Sequence, residues 1–440
     1  MATPQEKYKL SRYNVFHQDC DVQYVWNTYS GALLKFDKSS QEYVRSFSGV
    51  DDGSNEFCLL KSNGFIVHEK LNEYARICLE EKQALFNPNP TNVAFLIAPG
   101  MKCNNKCSYC FLATQSSVDR TKTMTPEIAS DVAKYICSQL DKNPNVSDVL
   151  VTWFGGEPLL HLDIIEIISR KIIKYTDNRK INYSADMPTN ALLLNPDVLR
   201  KLHELRITQI TITVDGLRNS HCISKGVSLE EYDTVIDNIC YVAENTDIKR
   251  LIVRLNIPNN NLDEAIATTD YLIKLHGLLG KIWLCYTYVC DYTLPIKIAQ
   301  KRYVEYTKNY LRWINYLLDN YGLSQNTIGY STKRKMKYCM RASFNNYCIG
   351  SCGNLYRCLH SIGDKTKLIG DVWRGHLFTN VELDYYKVAD IKKEEESKCF
   401  RCSFLPICGG GCIDRYKKQD CKMDMSIWLM LRLREEGVRL

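Results

Sequence analysis

Twenty cysteines among 440 residues, gathered in groups, constrain this chain more than any other feature. Cys103, Cys107 and Cys110 form one tight group, and Cys399, Cys402, Cys408, Cys412 and Cys421 a second. Cys339, Cys348, Cys352 and Cys358 lie between them. The other eight, at positions 20, 58, 78, 137, 222, 240, 285 and 290, are scattered, several at apolar places in helix or strand patterns, and read as buried small hydrophobes. The N-terminal stretch MATPQEKYKLSRYNVF is charged and lacks the apolar core of a secretory signal. The expected location is therefore the cytoplasm, where disulfides are rare and grouped cysteines mean metal binding or catalysis.

A hydrophobic share of 45% with 24% charged residues excludes a disordered or collagen-like chain. The longest apolar stretches, such as Val149–Phe154 and Ile210–Val214, fall far short of the ~20 residues that span a bilayer, so no membrane partner is expected. The net charge of +7 is mild for this length. Its one dense basic run, Lys333–Lys337, reads as a solvated loop, and a nucleic-acid partner is not expected. No internal repeat or low-complexity tract is present.

Three zones follow along the chain. From Tyr8 to about Asn87 the pattern reads strands first, at Tyr13–Phe16, Gln23–Tyr29 and Ala32–Phe36, then helices. Ser39-Ser40-Gln41-Glu42 predicts a helix start with Glu42 supporting the serine. A short helix and turn over Phe57–Val67 and a long helix over Glu69–Phe86 complete a unit with winged-helix character, closed by the linker Asn87-Pro88-Asn89-Pro90. From Val93 to about Tyr321, strands at Val93–Ala98, Val149–Phe154, Asn182–Asp186, Gln209–Val214, Arg250–Asn256 and Lys281–Tyr288 alternate with helical patterns at about 126–140, 160–176, 196–205, 229–245, 262–276 and 301–321. Six βα units with near-continuous apolar strands predict an α/β fold, a parallel sheet covered by helices and curled or closed as a barrel, with the site at the C-terminal strand ends. From Cys339 to Cys421 the chain turns cysteine- and turn-rich, like a small domain stapled by metal, and Met423–Arg434 predicts a docking helix.

The motifs fall on one rim. Cys103-x3-Cys107-x2-Cys110 directly follows the first strand of the alternating zone, and Gly155-Gly156-Glu157-Pro158 the second. Three thiolates on one short loop can hold three irons of a [4Fe–4S] cube and leave the fourth open to an exogenous ligand. A structural zinc would need a fourth protein ligand, and none is near in sequence. Glycines let backbone approach a ligand closely, and Glu157 can accept hydrogen bonds from an ammonium.

Cys103-Asn-Asn-Lys-Cys107-Ser-Tyr109-Cys110 resembles the signature of radical S-adenosylmethionine (SAM) enzymes, and its place after strand one of a six-fold βα pattern agrees. The resemblance implies that Cys103, Cys107 and Cys110 hold a catalytic [4Fe–4S] cluster whose open iron binds SAM, with Tyr109 beside the cofactor. It also implies that Gly155, Gly156 and Glu157 hold the SAM amino group. Met187-Pro188-Thr189-Asn190 resembles the family's TTN segment, with Asn190 facing SAM, and Thr213-Val214-Asp215-Gly216 its S-x-D-G stretch, with Thr213 in the serine's place. Where relatives carry H-D-x-x-R this chain reads His221-Cys222-Ile223-Ser224-Lys225, so Lys225 replaces the arginine expected on the SAM carboxylate and loses its bidentate fork. Arg254, in Val-Arg-Leu-Asn, is a second candidate for that contact.

The C-terminal cysteines resemble the SPASM appendage of radical SAM enzymes. The resemblance implies two auxiliary iron–sulfur clusters, one on Cys399, Cys402, Cys408 and Cys421, the other on Cys339, Cys358 and Cys412, hence three [4Fe–4S] clusters in all. The latter set lacks a fourth cysteine upstream, so Cys348 or Cys352 fills the place or an iron stays open to substrate. The plainer reading of the same cysteines is a zinc site. The arrangement as a whole resembles ribosomal-peptide maturases: residues 1–88 a leader-recognition module, 89–325 a partial (β/α)6 radical SAM barrel and 326–440 the SPASM domain. The implied activity is hydrogen abstraction from a precursor peptide carrying a leader, installing a cross-link, thioether first and carbon–carbon second, with a reduced flavodoxin- or ferredoxin-type electron donor. A sulfatase-type maturase oxidising a cysteine or serine is the competing enzyme. Relatives of that kind place an aspartate, their base, where this chain has Leu359. A non-enzymatic metal-binding module is the competing class, and it predicts zinc, or iron without SAM cleavage.

Overall fold

The structure is a computed structural model that describes residues 6–87, 89–115, 118–289, 296–322, 332–335, 345–377, 379–380, 399–410 and 426–438. Cys339, Cys412 and Cys421, three of the expected cluster ligands, lie outside the described residues. The chain divides into two compact units, residues 1–86 with 330–343 and 385–440, and residues 87–329 with 344–384.

In the first unit, strands β2 (Asn14–Asp19), β3 (Val22–Asn27) and β4 (Leu33–Phe36) form an antiparallel meander. The β3–β4 turn passes through Gly31 at φ +81°, a conformation that glycine adopts without steric cost. Helices α1 (Lys38–Arg45), α2 (Asn55–Ser62) and α3 (Glu73–Leu85) follow. Tyr8, Val25, Phe36, Phe57, Leu60, Phe65 and Ile66 make a shared core. Two sequence expectations are corrected here. Helix α1 is capped by Asp37, whose side chain accepts from the Ser40 N–H at 2.8 Å, because a carboxylate in extended backbone two residues upstream captures that donor before Ser39 or Ser40 can act as caps. The long third helix starts at Glu73, capped by Asn72, because strand β5 (Ile66–His68) is drawn into antiparallel pairing with β1 (Tyr8–Leu10). The same unit includes residues 399–410 and the helix Ser426–Glu435, which overlaps the predicted docking helix. Leu405 joins Tyr13, Tyr74 and Ile77 in a second core, with Cys399 and Phe400 packed against it. The basic run is not simply solvated: Arg334 pairs with Glu80 and stacks 4.0 Å from the centre of the Tyr29 ring.

In the second unit, β6 (Asn92–Gly100), β7 (Asp148–Gly155), β8 (Asn182–Thr189), β9 (Ile207–Val214), β10 (Arg250–Leu255) and β11 (Trp283–Tyr286) pair in parallel, each with its chain neighbour. The helices between them are α4 (Phe111–Thr114), α5 (Pro126–Asp141), α6 (Leu162–Arg179), α7 (Pro196–Glu204), α8 (Arg218–Lys225), α9 (Leu229–Asn245) and α10 (Leu262–Asp270). Their starts are written locally. Thr125 and Asn195 cap helices that carry proline at the first position, and Ser228 and Glu231 form a reciprocal capping box. Helix α11 (Ile296–Tyr321) follows β11.

The sheet does not end at β6. Strand β12 (Tyr347–Ile349) adds parallel to β6, and β13 (Asn354–Tyr356), β14 (Gly370–Asp371) and β15 (Gly375–His376) continue antiparallel, giving ten strands in the order β11-β10-β9-β8-β7-β6-β12-β13-β14-β15. Residues from the cysteine-rich zone thus extend the central sheet, an arrangement not foreseen from their turn-rich composition.

Its two faces differ. Val149, Val151, Trp153, Tyr183, Ala185, Met187, Ile210, Ile212, Val214, Leu251, Val253 and Leu255 are all within 3% of full burial, and each such aliphatic side chain contributes about 1.5–3 kcal/mol. The alternate positions Thr152, Asp186, Gln209, Thr211, Thr213 and Arg254 are half-buried or exposed and polar. Alternation at period two makes this a mainly polar face, open among the described residues although Leu150 and the buried Ile252 also lie on it, and the motifs gather at its C-terminal edge.

Candidate active site

The cysteine loop leaves β6 at Gly100 and is clamped from two sides. The N–H groups of Lys106 and Ser108 donate to the carbonyls of Lys225 and Ser224 at 3.0 and 2.9 Å, fixing the loop to the last turn of α8. On the other side the Gly156 and Glu157 N–H groups donate to the carbonyls of Gly100 and Lys102 at 3.3 and 2.9 Å. The two glycines serve this contact. A side chain at Gly155, which sits at φ +133°, would collide with the Gly100 carbonyl, and one at Gly156 with the Lys102 carbonyl. The close approach they permit is to the backbone that carries Cys103.

Cys103, Cys107 and Cys110 come together as half-buried thiols. Burial pushes the Cys107 thiol up to about 11, against the pull of Lys225, with Cys103 and Cys110 close enough to add to the rise. Cys103 is also raised, by burial, although the Asn105 N–H lies 3.4 Å from its sulfur. Such thiols stay neutral until a metal displaces their protons. Among the described residues no three Cys, His, Asp or Glu side chains converge as one bound ion would require. Three thiols on one short loop suit a cube, which takes each thiolate on a separate iron and leaves the fourth iron open.

Glu157 is 1% exposed. Its Oε1 accepts from Thr189 Oγ1 at 2.8 Å and the Leu159 N–H at 3.1 Å, and its Oε2 from the Asn190 N–H at 2.8 Å. The carboxylate therefore ties the end of β8 to the cysteine-loop clamp. Burial raises its pKa and these donors oppose the rise. Glu157→Gln must turn an NH2 toward one of three donors, and the expected cost is about 1–3 kcal/mol. Chemical unfolding of the apoprotein measures it, and an unchanged midpoint would show the carboxylate is not held this way. Asn190 also donates to Asn104 Oδ1 at 2.6 Å and Asn105 Oδ1 at 3.1 Å, bracing the cysteine loop.

Beneath the loop lies a buried charge network. Asp215, fully buried, accepts from Tyr109 Oη at 3.0 Å and Ser224 Oγ at 2.7 Å, and pairs with Lys225 Nζ at 3.4 Å. Burial pulls the Lys225 ammonium down, but Asp215, Tyr109 and Cys107 outweigh it and hold its pKa above the ordinary lysine value. Lys225 is thus committed to Asp215. Arg254, the other candidate for a SAM carboxylate, is exposed on the polar face beside Thr213 in register, its Nε donating to Thr287 Oγ1 at 3.2 Å. Asn256, one step beyond β10, donates to Tyr109 Oη at 3.2 Å while its own Oδ1 is buried without a partner. Asp215 and Asn256 both lie inside recognisable sequence segments, Thr-Val-Asp-Gly and Val-Arg-Leu-Asn. Only the fold shows that both meet Tyr109.

His221 is 2% exposed, and its Nδ1 accepts from the Asp215 N–H at 3.2 Å. Burial, with Lys225 adding to it, lowers its pKa to about 3. A histidine depressed in the folded state gives stability that is full above its unfolded pKa of about 6.5 and is lost as pH falls below that value. The stability advantage of wild type over His221→Gln should therefore narrow by about 1.4 kcal/mol per pH unit below pH ~6.5. Urea unfolding at pH 7, 6 and 5 tests this, and parallel slopes for the two proteins would refute it.

Of the C-terminal cysteines, Cys358 is half-buried in the turn after β13, Cys348 is buried on β12, and Cys352 is exposed. Near Cys358, the His360 ring packs 4.5 Å from Phe111, which directly follows Cys110 and stacks on Phe154. Gln115 Nε2 donates to the His360 carbonyl at 2.9 Å. In the first unit, Cys399, Cys402 and Cys408 share one knuckle, with the Cys402 N–H donating to the Cys399 carbonyl and the Cys408 N–H to the Phe404 carbonyl. Phe400 packs edge-on against Tyr74, and Phe404 against Trp26 and Trp428.

A parallel sheet with a three-cysteine loop after its first strand and a glycine clamp after its second defines the class. A profile of the Radical SAM superfamily matches residues 97–272, and the chain carries a radical SAM domain, which works with a [4Fe–4S] cluster and SAM. Among curated proteins the chain is similar to the radical SAM cyclopropyl synthase TigE of Paramaledivibacter caminithermalis, 24% identical over 274 residues that cover 55% of this chain and 57% of that one. The match therefore spans little more than half of that relative. It is also similar to the cysteine-type anaerobic sulfatase-maturating enzyme of Clostridium perfringens, 23% identical over 76% of this chain and 93% of that one. Among solved structures, native anSMEcpe with bound AdoMet and Kp18Cys peptide superposes with TM-score 0.58 at 17% identity, covering 79% of this chain and 97% of that one. Streptococcus suis SuiB bound to precursor peptide SuiA does so with TM-score 0.50 at 17% identity, covering 94% and 98%. At these identities the shared property is the fold. No helix among the described residues is long and apolar enough to cross a membrane.

Proposed function

We propose that this chain is a radical SAM peptide maturase that installs a cross-link in a ribosomally made precursor. The observation that carries the reading is the doubly clamped loop of Cys103, Cys107 and Cys110 at the C-terminal edge of the mainly polar sheet face. When bound, the cluster and SAM supply the 5′-deoxyadenosyl radical that takes a hydrogen atom from an unreactive carbon. The chain's own residues position the reactants. Tyr109, Asn190 and the Gly155–Glu157 clamp line the SAM side, and Thr213 and Arg254 face it from β9 and β10. Arg254 takes the SAM carboxylate, since Lys225 is engaged by Asp215. Cys399, Cys402, Cys408 and Cys421 hold one auxiliary cluster and Cys339, Cys358 and Cys412 the other, for three in all. Residues 1–88 recognise the leader, residues 89–325 carry the radical chemistry and 326–440 the auxiliary clusters. The peptide-bound SuiB and anSMEcpe structures, alike in fold, support a peptide substrate.

Two products are distinguishable. An open iron on the second auxiliary cluster would bind a substrate thiolate and favour a thioether, whereas the cyclopropyl synthase relative favours a carbon–carbon link. The long match to the sulfatase-maturating enzyme favours oxidation of a single cysteine or serine, but Leu359 stands where that chemistry's base is expected. The test is anaerobic incubation of the reconstituted protein with reductant, SAM and candidate precursor peptides. Formation of 5′-deoxyadenosine with loss of two hydrogens from the peptide supports the proposal. A thioether consumes one alkylatable thiol, a carbon–carbon link consumes none, and a new aldehyde would mark the sulfatase-type reaction. No 5′-deoxyadenosine from a fully iron-loaded protein would overturn the assignment.

A further inference from the structure

The mainly polar face of the central sheet carries a carboxylate whose needs the fold leaves unmet. Asp186, half-buried on β8, has its Oδ1 buried without a hydrogen-bond partner. Burial raises its pKa, and only the Thr152 hydroxyl and its own backbone oppose the rise. Thr152 on β7 and Gln209 on β9 flank it in register. The register of β8 against β9 steps at this point. Ala185 faces Ile207 while Asp186 faces Gln209, so Thr208 is an extra residue, and such bulges re-aim the side chains beside them. The cations on this face are engaged elsewhere. Arg250, in register with Gln209, stacks 4.2 Å from the centre of the Trp283 ring, and Arg254 donates to Thr287. Among the described residues Asp186 has no ion-pair partner. A carboxylate oxygen buried without a donor lowers stability, and in a native fold it calls for an explanation.

The rows of side chains above Asp186 define what would meet that need. Asp186 lies on the face of Asn190 and four residues before it, on the order of 13 Å further down the strand. The row next above Asp186 holds Pro188, Thr211 and the buried Ile252, in register with one another. The row above that, towards the rim, holds Thr213 and Arg254. From the rim downward the face therefore runs polar, then largely apolar, then anionic. A lysine or arginine of a peptide has the matching order, with a polar backbone, an apolar methylene stem and a cationic head.

We propose that Asp186 is a specificity-determining residue that binds the cationic head of a lysine or arginine of the peptide substrate, with the stem of that side chain along Pro188 and Ile252. The contact anchors the peptide on the sheet face with its backbone towards the rim that carries Cys103, Cys107 and Cys110. The inference rests on the peptide-maturase reading of the same site and names a feature of its substrate. A neutral amide or hydroxyl donor fits less well, because it would leave the charge of a half-buried carboxylate without a counter-ion.

The test is calorimetric titration of the reconstituted protein, with SAM and without reductant. The probes are an end-capped glycine peptide with one central lysine and its norleucine, glutamine and glutamate counterparts. Wild type should bind the lysine peptide about tenfold more tightly than the norleucine peptide, which has the same stem and no charge. Asp186→Asn should remove that preference, and Asp186→Lys should transfer it to the glutamate peptide. Asp148→Asn, which removes a carboxylate from the start of β7, should leave it unchanged. Urea unfolding of the metal-free protein guards against a damaged fold. Asp186→Asn relieves an unmatched charge and should unfold at a midpoint no lower than wild type. Equal affinity of wild type for the lysine and norleucine peptides, binding of neither included, would overturn the site. So would a lysine preference that survives in Asp186→Asn, an equal loss in Asp148→Asn, or a glutamine peptide that binds as tightly as the lysine peptide. A lower unfolding midpoint for Asp186→Asn would overturn it as well, by showing that the carboxylate serves the fold. A lysine preference with no 5′-deoxyadenosine from iron-loaded wild type would instead fault the radical maturase reading and leave the binding site standing.

Discussion

Replacing Cys103, Cys107 and Cys110 together by alanine is expected to abolish 5′-deoxyadenosine formation and to lower iron by about four atoms per chain, from roughly twelve in a three-cluster protein. The loop's clamps explain why the loss should be clean. Lys106, Ser108, Gly156 and Glu157 hold it through backbone hydrogen bonds that do not involve the thiols, so the loop should keep its place without them. The thiols themselves are raised by burial and gain nothing from ionising until iron binds. Circular dichroism and unfolding should therefore change little while chemistry disappears. Anaerobic reconstitution followed by iron, sulfide and zinc analysis measures the effect, with Cys137→Ala on α5 as a control that should lose no iron. Retention of SAM cleavage by the triple variant would remove the catalytic role of the loop. Roughly four irons in wild type, with zinc in the C-terminal cysteines, would leave the radical SAM domain standing and eliminate the auxiliary clusters.

The second large effect is expected from Lys225→Met. The methionine fills a similar volume but leaves Asp215, which has no exposed surface, holding a buried charge with only Tyr109 and Ser224 as donors. Removing one partner of a buried pair costs about 3–5 kcal/mol, more than the pair itself contributes over an apolar replacement. The damage should reach the active site, because the Lys225 carbonyl holds the Lys106 N–H and Tyr109 rests on Asp215. The Lys225→Met/Asp215→Leu double variant should recover much of the loss, since both charges are then gone. Unfolding of the metal-free protein separates this structural cost from any effect on SAM. If Lys225→Met unfolds within about 1 kcal/mol of wild type, Asp215 does not carry a buried charge and the network has been misread.

The elements legible from sequence are those whose physics is local. Near-continuous apolar runs marked β7, β9 and β10, helical patterning marked α5, α7 and α9, and the Cys-x3-Cys-x2-Cys spacing pointed to an iron–sulfur loop after the first strand. Where local signals competed, neighbours decided. Asp37 took the cap from Ser39, and pairing of Ile66–His68 with β1 shortened the third helix.

What no stretch of sequence contains is who meets whom across distance. Glu157 could be read as a ligand for an ammonium, but the fold gives its oxygens to Thr189, Asn190 and Leu159. Lys225 could be read as a partner for a carboxylate, but the partner it finds is Asp215, ten residues earlier and wholly buried. Residues 347–376, rich in turns and short of periodic pattern, add four strands to the central sheet because β6 offers an unpaired edge. Arg12 meets Phe400 only in the folded chain. Residue type and spacing therefore determined which chemistry this protein can perform. Burial and long-range pairing, which set the strength of every charge and the partner of every polar group, were decided by the tertiary structure alone.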